Sequence, residues 1–199
     1  MKIAVLCSGN GTNLQAIIDS IRSGYIPVEI AMVVSDKKNA RALVRAREAG
    51  IETLLLDAKD FKSREDFDKE IVRNLKKKGV GLVVLAGYMR LLSPYFIREY
   101  RDKIINIHPA LLPSFKGTHA IKDALEHGSK VTGVTVHFVD EKLDDGPIIL
   151  QKAVDIEDDD DEEALLERVH KEEHRLYPEA IRLFAAGRLK IEGRRVGVK

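Results

Sequence analysis

The chain is poor in cysteine and in long apolar runs, and it contains no tryptophan. With Cys7 as its single cysteine, an internal disulfide is excluded and a reducing compartment is expected. The apolar stretch at residues 3–7 is too short for the core of a signal peptide or for a membrane-spanning helix. We therefore predict a cytoplasmic protein without a membrane partner, in which Cys7 is a buried strand-end residue and not a nucleophile.

Net charge is also lacking. The sequence has 33 Lys and Arg against 32 Asp and Glu, which leaves a formal net charge of +1. A chain this close to neutral has no overall field that would recruit nucleic acid, so nucleic acid is not an expected partner. No internal repeat or low-complexity linker is present, and 199 residues suit one well-buried α/β domain better than two.

Apolar runs and helical patterns alternate along the first half of the chain. The strand-like runs there are KIAVLC, VEIAMVVS, ETLLLD, GLVVLAG and KIINIH. This order predicts a Rossmann-like α/β domain with a mostly parallel, twisted sheet and helices on both faces. In the C-terminal half, VTGVTVHFVD and IILQKAVDI flank an Asp145-Gly146 turn signal, which predicts an antiparallel strand. A long helix is predicted from about residue 162 to residue 186, after the acidic run EDDDDEE.

Two glycines and several small polar residues stand where the first strand turns into the first helix. Gly9 and Gly11 precede Thr12 and Asn13, and a glycine turn that opens a helix is a natural site for an anion such as a phosphate. A dinucleotide site would require a third glycine where Leu14 stands, although Asp36 follows the second strand where a ribose-binding acid is expected. Both an anion site and a nicotinamide site therefore remain open from this motif.

The segment INIHPALLPSFKG combines polar side chains with an apolar strand. Asn106 and His108 are two residues apart and project to the same face, and Pro109 ends the strand at the edge where open α/β sheets bind ligands. A carboxamide and an imidazole aimed at one point can stabilise an oxyanion. Asp144 in LDDGP is the candidate partner of His108, and a carboxylate there raises the His108 pKa while burial opposes that shift. We expect a charged His108.

Four segments of the chain together resemble the 10-formyltetrahydrofolate-dependent formyltransferase family. They are CSGNGTNLQAI, LAGYMRLLSPYFI, NIHPALLPSFKGTHA and GVTVHFVDEKLDDGPIILQ, and the similarity continues in register through EEHRLYPEAIRLFAAGRLK. The glycine turn followed by Asn13 is similar to the purine-synthesis branch of that family. The resemblance implies one formyltransferase domain over residues 1–199, with a phosphoribosyl-substrate half at about 1–100 and a folate and catalytic half at about 101–199.

The activity implied by the resemblance is formyl transfer from 10-formyltetrahydrofolate, the co-substrate, to the glycinamide amine of 5-phosphoribosylglycinamide in de novo purine synthesis. His108 would be the general acid, Asn106 the oxyanion donor, and Asp144 the group that keeps His108 charged. The resemblance assigns no metal and no firm role to His170. Its partners would be these small molecules, and the expected assembly is a monomer or a weak homodimer.

The family also implies a set of binding residues. The phosphoribosylglycinamide would be bound by Gly11, Thr12, Asn13 and Glu173. The folate would be bound by Arg64, Met89, Arg90, Leu91, Leu92, Asn106, Val139 and Asp140. Residues 89–92 would line the pterin pocket through their backbone groups.

Four other functions share parts of these motifs. A hydrolase that deformylates the same folate, or a transferase that acts on methionyl-tRNA, uses similar Asn, His and Asp elements. The tRNA enzyme usually carries a further basic RNA-binding domain, which the near-neutral chain ending at Lys199 disfavours. A nicotinamide-dependent oxidoreductase would use Gly9, Gly11 and Asp36. A zinc hydrolase would draw its ligands from His108, His119, His137 and Asp144.

Overall fold

The structure, a computed structural model, describes all residues from Met1 to Lys199. The chain divides into two compact units, Met1–Asn106 and Ile107–Lys199. The elements of the first unit are β1 (Lys2–Leu6), α1 (Thr12–Arg22), β2 (Glu29–Ser35), α2 (Arg41–Glu48), β3 (Thr53–Leu55), a short 3₁₀ helix (Ala58–Asp60), α3 (Arg64–Lys77), β4 (Leu82–Leu85) and α4 (Pro94–Glu99). Strand β5 (Ile104–His108) runs from this unit into the second.

The strands of the first unit are all parallel and follow the order β3-β2-β1-β4-β5. Strand β4 is apolar and buried along its length, and so is β1 after the exposed Lys2, as is typical of strands covered on both faces. The core of this unit therefore lies along the central strands. Helix α3 begins after Ser63, whose side chain accepts a hydrogen bond from the Asp66 N–H at 3.0 Å.

The second unit is built on antiparallel pairing. Its elements are α5 (Ala120–Glu126), β6 (Val131–Phe138), β7 (Ile148–Asp155), α6 (Glu162–Ala185), β8 (Leu189–Glu192) and β9 (Arg195–Val198). Strands β6 and β7 are antiparallel, β7 pairs with β9 in parallel, and β8 pairs antiparallel with β9. The β8–β9 hairpin is not among the elements predicted from the sequence.

Helix α6 runs for 24 residues and contains Pro178, which is buried. Its N-cap is Asp161, whose side chain accepts a hydrogen bond from the Ala164 N–H at 2.8 Å. Glu162 and Glu163 occupy the first turn, where negative charge is stabilised by the helix dipole. The acidic run therefore serves the start of this helix, as the sequence analysis proposed.

The predicted α/β class, with a mostly parallel sheet and antiparallel strands in the C-terminal half, is confirmed. The division of residues 1–199 into two functional halves within one domain stays a prediction. None of the helices combines the length and apolarity that a membrane span would require.

Gly133 provides a test of the packing of the β6–β7 pair. A Cβ added at Gly133 would lie 2.2 Å from the carbonyl oxygen of Lys152 on β7, and 2.6 Å from a methyl group of Leu111. We expect Gly133→Ala to lower the free energy of unfolding by about 1–3 kcal/mol, because strand pairing must distort to admit the methyl group. Chemical denaturation measures this change.

Gly197 on β9 is the matched control, since the nearest atom to its added Cβ, a backbone oxygen, lies 3.9 Å away. We expect Gly197→Ala to change stability by no more than about 0.5 kcal/mol. Equal stabilities for the two variants would contradict the close approach at Gly133.

Candidate active site

No side chain caps the start of α1, which follows the glycine turn. Gly11 is the N-cap residue with φ +71°, it offers no side chain to the helix, and the first turn contains no acidic residue. A Cβ at Gly11 would lie 2.7 Å from the Cβ of Ala42, so both backbone conformation and packing require glycine there. A Cβ at Gly9 would meet nothing within 4 Å. The N–H groups of residues 11–13 are thus suited to an anion.

The side chain of Asp36 is buried and hydrogen bonded within the protein. Its side chain is 2% exposed, and it accepts a hydrogen bond from the Ser8 hydroxyl at 2.6 Å. A ribose-binding acid has to present its carboxylate to a cofactor, which this buried group cannot do. The nicotinamide hypothesis therefore loses the acid on which it depends.

Cys7 is fully buried, as the sequence predicts, and its Sγ lies 3.7 Å from the Val34 carbonyl oxygen. Burial, helped by the nearby Asp36 charge, raises the pKa of its thiol to about 12. The thiol stays protonated at neutral pH, so Cys7 is not a nucleophile.

Each ring nitrogen of His108 has a polar neighbour. The residue is 3% exposed, its Nε2–H donates a hydrogen bond to the Phe115 carbonyl oxygen at 2.7 Å, and its Nδ1 lies 3.5 Å from Oδ2 of Asp144. Because a carbonyl can only accept, the proton of the ring resides on Nε2 in this arrangement. Of these two partners, Asp144 is predicted from the sequence and the Phe115 carbonyl is not.

Asp144 lies between two imidazoles. Its Oδ1 is 3.7 Å from Nε2 of His137, its Oδ2 faces His108, and Oδ2 also accepts a hydrogen bond from the Gly117 N–H at 2.9 Å. The residue is 9% exposed. Burial acts to raise the pKa of Asp144, but the contact with His137, the hydrogen bond from the Gly117 N–H and the nearby His108 together outweigh burial, so the pKa is lowered. The carboxylate is therefore ionised at neutral pH.

The backbone around Asp144 is constrained. Asp144 has φ +46°, a conformation that costs a non-glycine residue free energy and is concentrated at functional sites. A Cβ at Gly146 would lie 1.8 Å from the Phe138 carbonyl oxygen, so the chain can pass this strand end only as glycine. The turn thereby fixes the direction in which the Asp144 carboxylate points.

The expectation of a raised His108 pKa is wrong for this structure. Burial of the ring lowers the pKa of His108, while the hydrogen bond to Phe115 and the charge of Asp144 raise it, and His137 lowers it further. The net shift of the pKa is downward because the free-energy cost of removing an imidazolium from water exceeds the stabilisation that its partners contribute. His108 is thus a neutral Nε2–H donor in the free protein at neutral pH.

Asp145 ties the segments of this cluster together. It forms ion pairs with Lys116 and with Arg194, the latter at 3.2 Å, and its carbonyl oxygen accepts a hydrogen bond from Arg194 at 2.9 Å. Lys116 precedes Gly117, which contacts Asp144, and Arg194 belongs to the turn of the unpredicted β8–β9 hairpin. These pairs are partly exposed and contribute little individually.

The other predicted residues are distributed over both units. Asn106 is half-buried and pairs with Leu85 at the end of β4, and alternation along β5 directs it to the same face as His108. Arg64 is the first residue of α3, and Met89 and Leu91 are 66% and 58% exposed in the loop after β4. Unit 1 thus holds Gly11, Thr12, Asn13, Arg64, Met89, Arg90, Leu91, Leu92 and Asn106.

In the second unit, Val139 and Asp140 follow directly after β6 and are half-buried. Glu173 on α6 is 4% exposed, and its Oε2 lies 3.8 Å from Nε2 of His170. Burial lowers the pKa of His170, whereas nearby Glu167 raises it, and the net direction is downward.

The zinc-hydrolase hypothesis has no ligand set. His119 is exposed at the start of α5, and no group of three or more His, Cys, Asp or Glu side chains is arranged so that it could hold a metal ion. His108, His137 and Asp144 are instead neighbours in one buried cluster, with the Asp144 oxygen atoms 3.5 Å and 3.7 Å from the two rings. The structure brings together three of the four residues that this hypothesis requires, without the geometry of a metal centre.

An Asp144→Asn variant tests the charge balance at His108. Asp144 raises the His108 pKa, so its loss should lower a pKa that burial has already brought below the usual value of about 6.5. NMR titration of the ring signals measures both proteins. A wild-type pKa at or above the usual value would contradict the dominance of burial, and an unchanged pKa in Asp144→Asn would contradict the role of the carboxylate.

Residues 1–181 match the family described as Formyl transferase. The chain is 50% identical over 188 residues to the trifunctional purine biosynthetic protein adenosine-3 of Drosophila melanogaster, covering 94% of this chain but only 14% of that longer protein. It is 47% identical to the phosphoribosylglycinamide formyltransferase of Escherichia coli, covering 96% of this chain and 90% of that one.

The structure is similar to solved structures over its whole length. It superposes on glycinamide ribonucleotide transformylase 1 from Symbiobacterium toebii with a TM-score of 0.98, at 53% identity, covering all of this chain and 93% of that chain. It also superposes on a phosphoribosylglycinamide formyltransferase from Coxiella burnetii with a TM-score of 0.95, at 42% identity.

Proposed function

The chain belongs to the formyl transferase family, and we propose that it transfers the formyl group of 10-formyltetrahydrofolate to the amine of 5-phosphoribosylglycinamide. The observation that carries this proposal is the buried cluster in which Oδ2 of an ionised Asp144 lies 3.5 Å from Nδ1 of the His108 imidazole. The high identity to a phosphoribosylglycinamide formyltransferase along 90% of that protein supports the choice of acceptor. The cluster supplies an N–H donor beside a fixed negative charge, which suits acyl transfer through an oxyanion.

The reaction exchanges one carbon–nitrogen bond for another. The glycinamide amine attacks the formyl carbon, the carbonyl electrons move onto the formyl oxygen, and collapse of that intermediate breaks the bond to N10 of the folate. The amine loses a proton and the folate nitrogen gains one, so no further reactant is required. The residues assigned to the oxyanion are His108, through its Nε2–H, and Asn106, through its carboxamide.

The charge state of His108 changes during this proposed reaction. In the free protein the Phe115 carbonyl accepts the Nε2–H, so the formyl oxygen has to replace that carbonyl as the acceptor. Negative charge on the formyl oxygen raises the His108 pKa in the same direction as Asp144 does. A ring that is neutral at rest can thereby take up a proton, or share one with the oxyanion, at the step where it is needed.

Two sets of residues are assigned to the two substrates. The uncapped N-terminus of α1 would bind the ribose phosphate through residues 11–13, and the buried carboxylate of Glu173 would accept hydrogen bonds from the ribose or the glycinamide. Residues 89–92, with Arg64, Val139 and Asp140, would hold the pterin and its attached chain. A cytoplasmic location and a monomer or weak homodimer belong to the same proposal.

A spectrophotometric assay with 10-formyltetrahydrofolate tests the proposed function. We expect the formyl group to be lost only when 5-phosphoribosylglycinamide is present, with formation of the N-formyl product and tetrahydrofolate. Loss of the formyl group in water alone would instead support the deformylating hydrolase. No reaction under either condition would overturn the proposal.

The role of Asn106 can be measured separately. Removing one preorganised oxyanion donor typically lowers turnover by about 10²–10³-fold, and we expect Asn106→Ala to show a loss of that size with little change in unfolding free energy. Asn74→Ala, on the part-buried side of α3 and outside the site, is the matched control and should retain turnover. Near-normal turnover in Asn106→Ala would remove Asn106 from the mechanism.

A further inference from the structure

We propose that Ser8, Asp36 and Asp68 are positioning residues that anchor the folate segment, here defined as residues 89–92, at both of its ends. This inference rests on the proposed function, because only that function makes the segment a folate-binding element. None of the three residues is among the family's expected binding residues. All three belong to the first unit; Ser8 and Asp68 accept hydrogen bonds from backbone N–H groups, and Asp36 acts through the Ser8 hydroxyl.

The folate segment needs anchoring because it has no regular structure of its own. It follows β4 and precedes α4, and the backbone groups of Arg90, Leu91 and Leu92 hydrogen bond to no other backbone group. Met89 and Leu91 are mostly exposed. Backbone groups left available in this way can recognise a planar heterocycle, but only if the chain is held in one conformation, since ordering it on binding would cost affinity.

The upstream end is fixed through Ser8. The Met89 N–H donates to the Ser8 hydroxyl at 3.1 Å, and that hydroxyl donates in turn to Oδ1 of Asp36 at 2.6 Å. The Ser8 N–H also donates to the Gly87 carbonyl oxygen at 3.0 Å. Because the Asp36 carboxylate is buried, it orients the hydroxyl so that a lone pair faces Met89.

The downstream end is fixed through Asp68. The Ser93 N–H donates to Oδ2 of Asp68 at 2.6 Å, and the Ser93 hydroxyl accepts from the Phe96 N–H at 3.3 Å, which caps α4. Asp68 is 2% exposed on α3. A carboxylate buried this deeply is costly unless it makes strong hydrogen bonds. Its position is accounted for by the backbone N–H of Ser93, the residue that directly follows the folate segment.

Arg90, inside the segment, is held from the same side. Its guanidinium lies 4.8 Å from the ring centre of Phe67, the residue next to Asp68, an arrangement that favours a cation–π contact. Burial raises the pKa of Asp68, and the Ser93 hydrogen bonds and the charges of Arg64 and Arg90 oppose that shift without reversing it. Helix α3 thus contacts both the end and the interior of the folate segment.

Ser8 also connects the two proposed substrate segments along the chain. It directly precedes Gly9 of the glycine turn, while its hydroxyl binds the N–H of Met89. One residue therefore sets the position of the folate segment relative to the turn that would bind the phosphate. A change at Ser8 should affect both substrates, whereas a change at Asp68 should affect only the folate.

Steady-state kinetics of four variants tests the inference. We expect the folate KM to rise roughly tenfold or more in Asp68→Ala and in Ser8→Ala, because each loses a hydrogen bond that ends on a carboxylate. The KM for 5-phosphoribosylglycinamide should change in Ser8→Ala alone, and kcat should fall less than the folate KM rises. Asp68→Asn retains a carbonyl acceptor for the Ser93 N–H and should stay within about threefold of wild type. Asp66→Ala, an exposed aspartate on the same helix, is the matched control.

Amide hydrogen exchange gives a readout that does not depend on turnover. Exchange should accelerate at Met89 in Ser8→Ala and at Ser93 in Asp68→Ala, while Asp66→Ala leaves both amides protected. Unchanged folate KM values in folded Ser8→Ala and Asp68→Ala, with an active wild type, would overturn the inference. A folate KM raised equally in Asp68→Asn and Asp68→Ala would overturn it for Asp68. A wild type that transfers no formyl group would overturn the proposed function itself, and this inference with it.

Discussion

The second unit depends on one buried negative charge, the carboxylate of Asp144. It accepts from Gly117 and faces the rings of His108 and His137, so three segments of the unit meet at two oxygen atoms. A carboxylate is stable in such a place only when its oxygens are surrounded by donors. The strained backbone of Asp144 and the close passage of Gly146 are consistent with a position that the rest of the unit must maintain.

The proposed binding segments of the first unit instead rely on backbone groups that are available to a ligand. The N-cap residue of α1 is a glycine, which offers no side chain to the helix. In the loop after β4, several backbone N–H and C=O groups form no hydrogen bond with other backbone groups. Such groups bind well only when the chain carrying them is rigid. Ser8, Asp36 and Asp68 supply that rigidity through hydrogen bonds, and the buried carboxylates of Asp36 and Asp68 therefore act as structural supports.

His108 shows where reasoning from residue types is insufficient. Its pairing with Asp144 was predictable from the resemblance, and the pair is present at 3.5 Å. The direction of the pKa shift was predicted incorrectly, because it is a difference between burial and partner charges that both act on one ring. The Phe115 carbonyl could not be foreseen either, since every residue has a carbonyl and its direction depends on the loop conformation.

The sequence by itself determined the α/β class, the position of the glycine turn, and the identity of the polar residues that the family implies. These features follow from local patterns: apolar periodicity, the conformational freedom of Gly11, and side-chain chemistry along one strand. Only the tertiary structure decided that Asp36 is buried, that Asp144 touches two histidines, and that a terminal hairpin contacts Asp145. The reason is that burial and contact arise between residues distant in sequence, and a local pattern does not specify the distance or the dielectric between them.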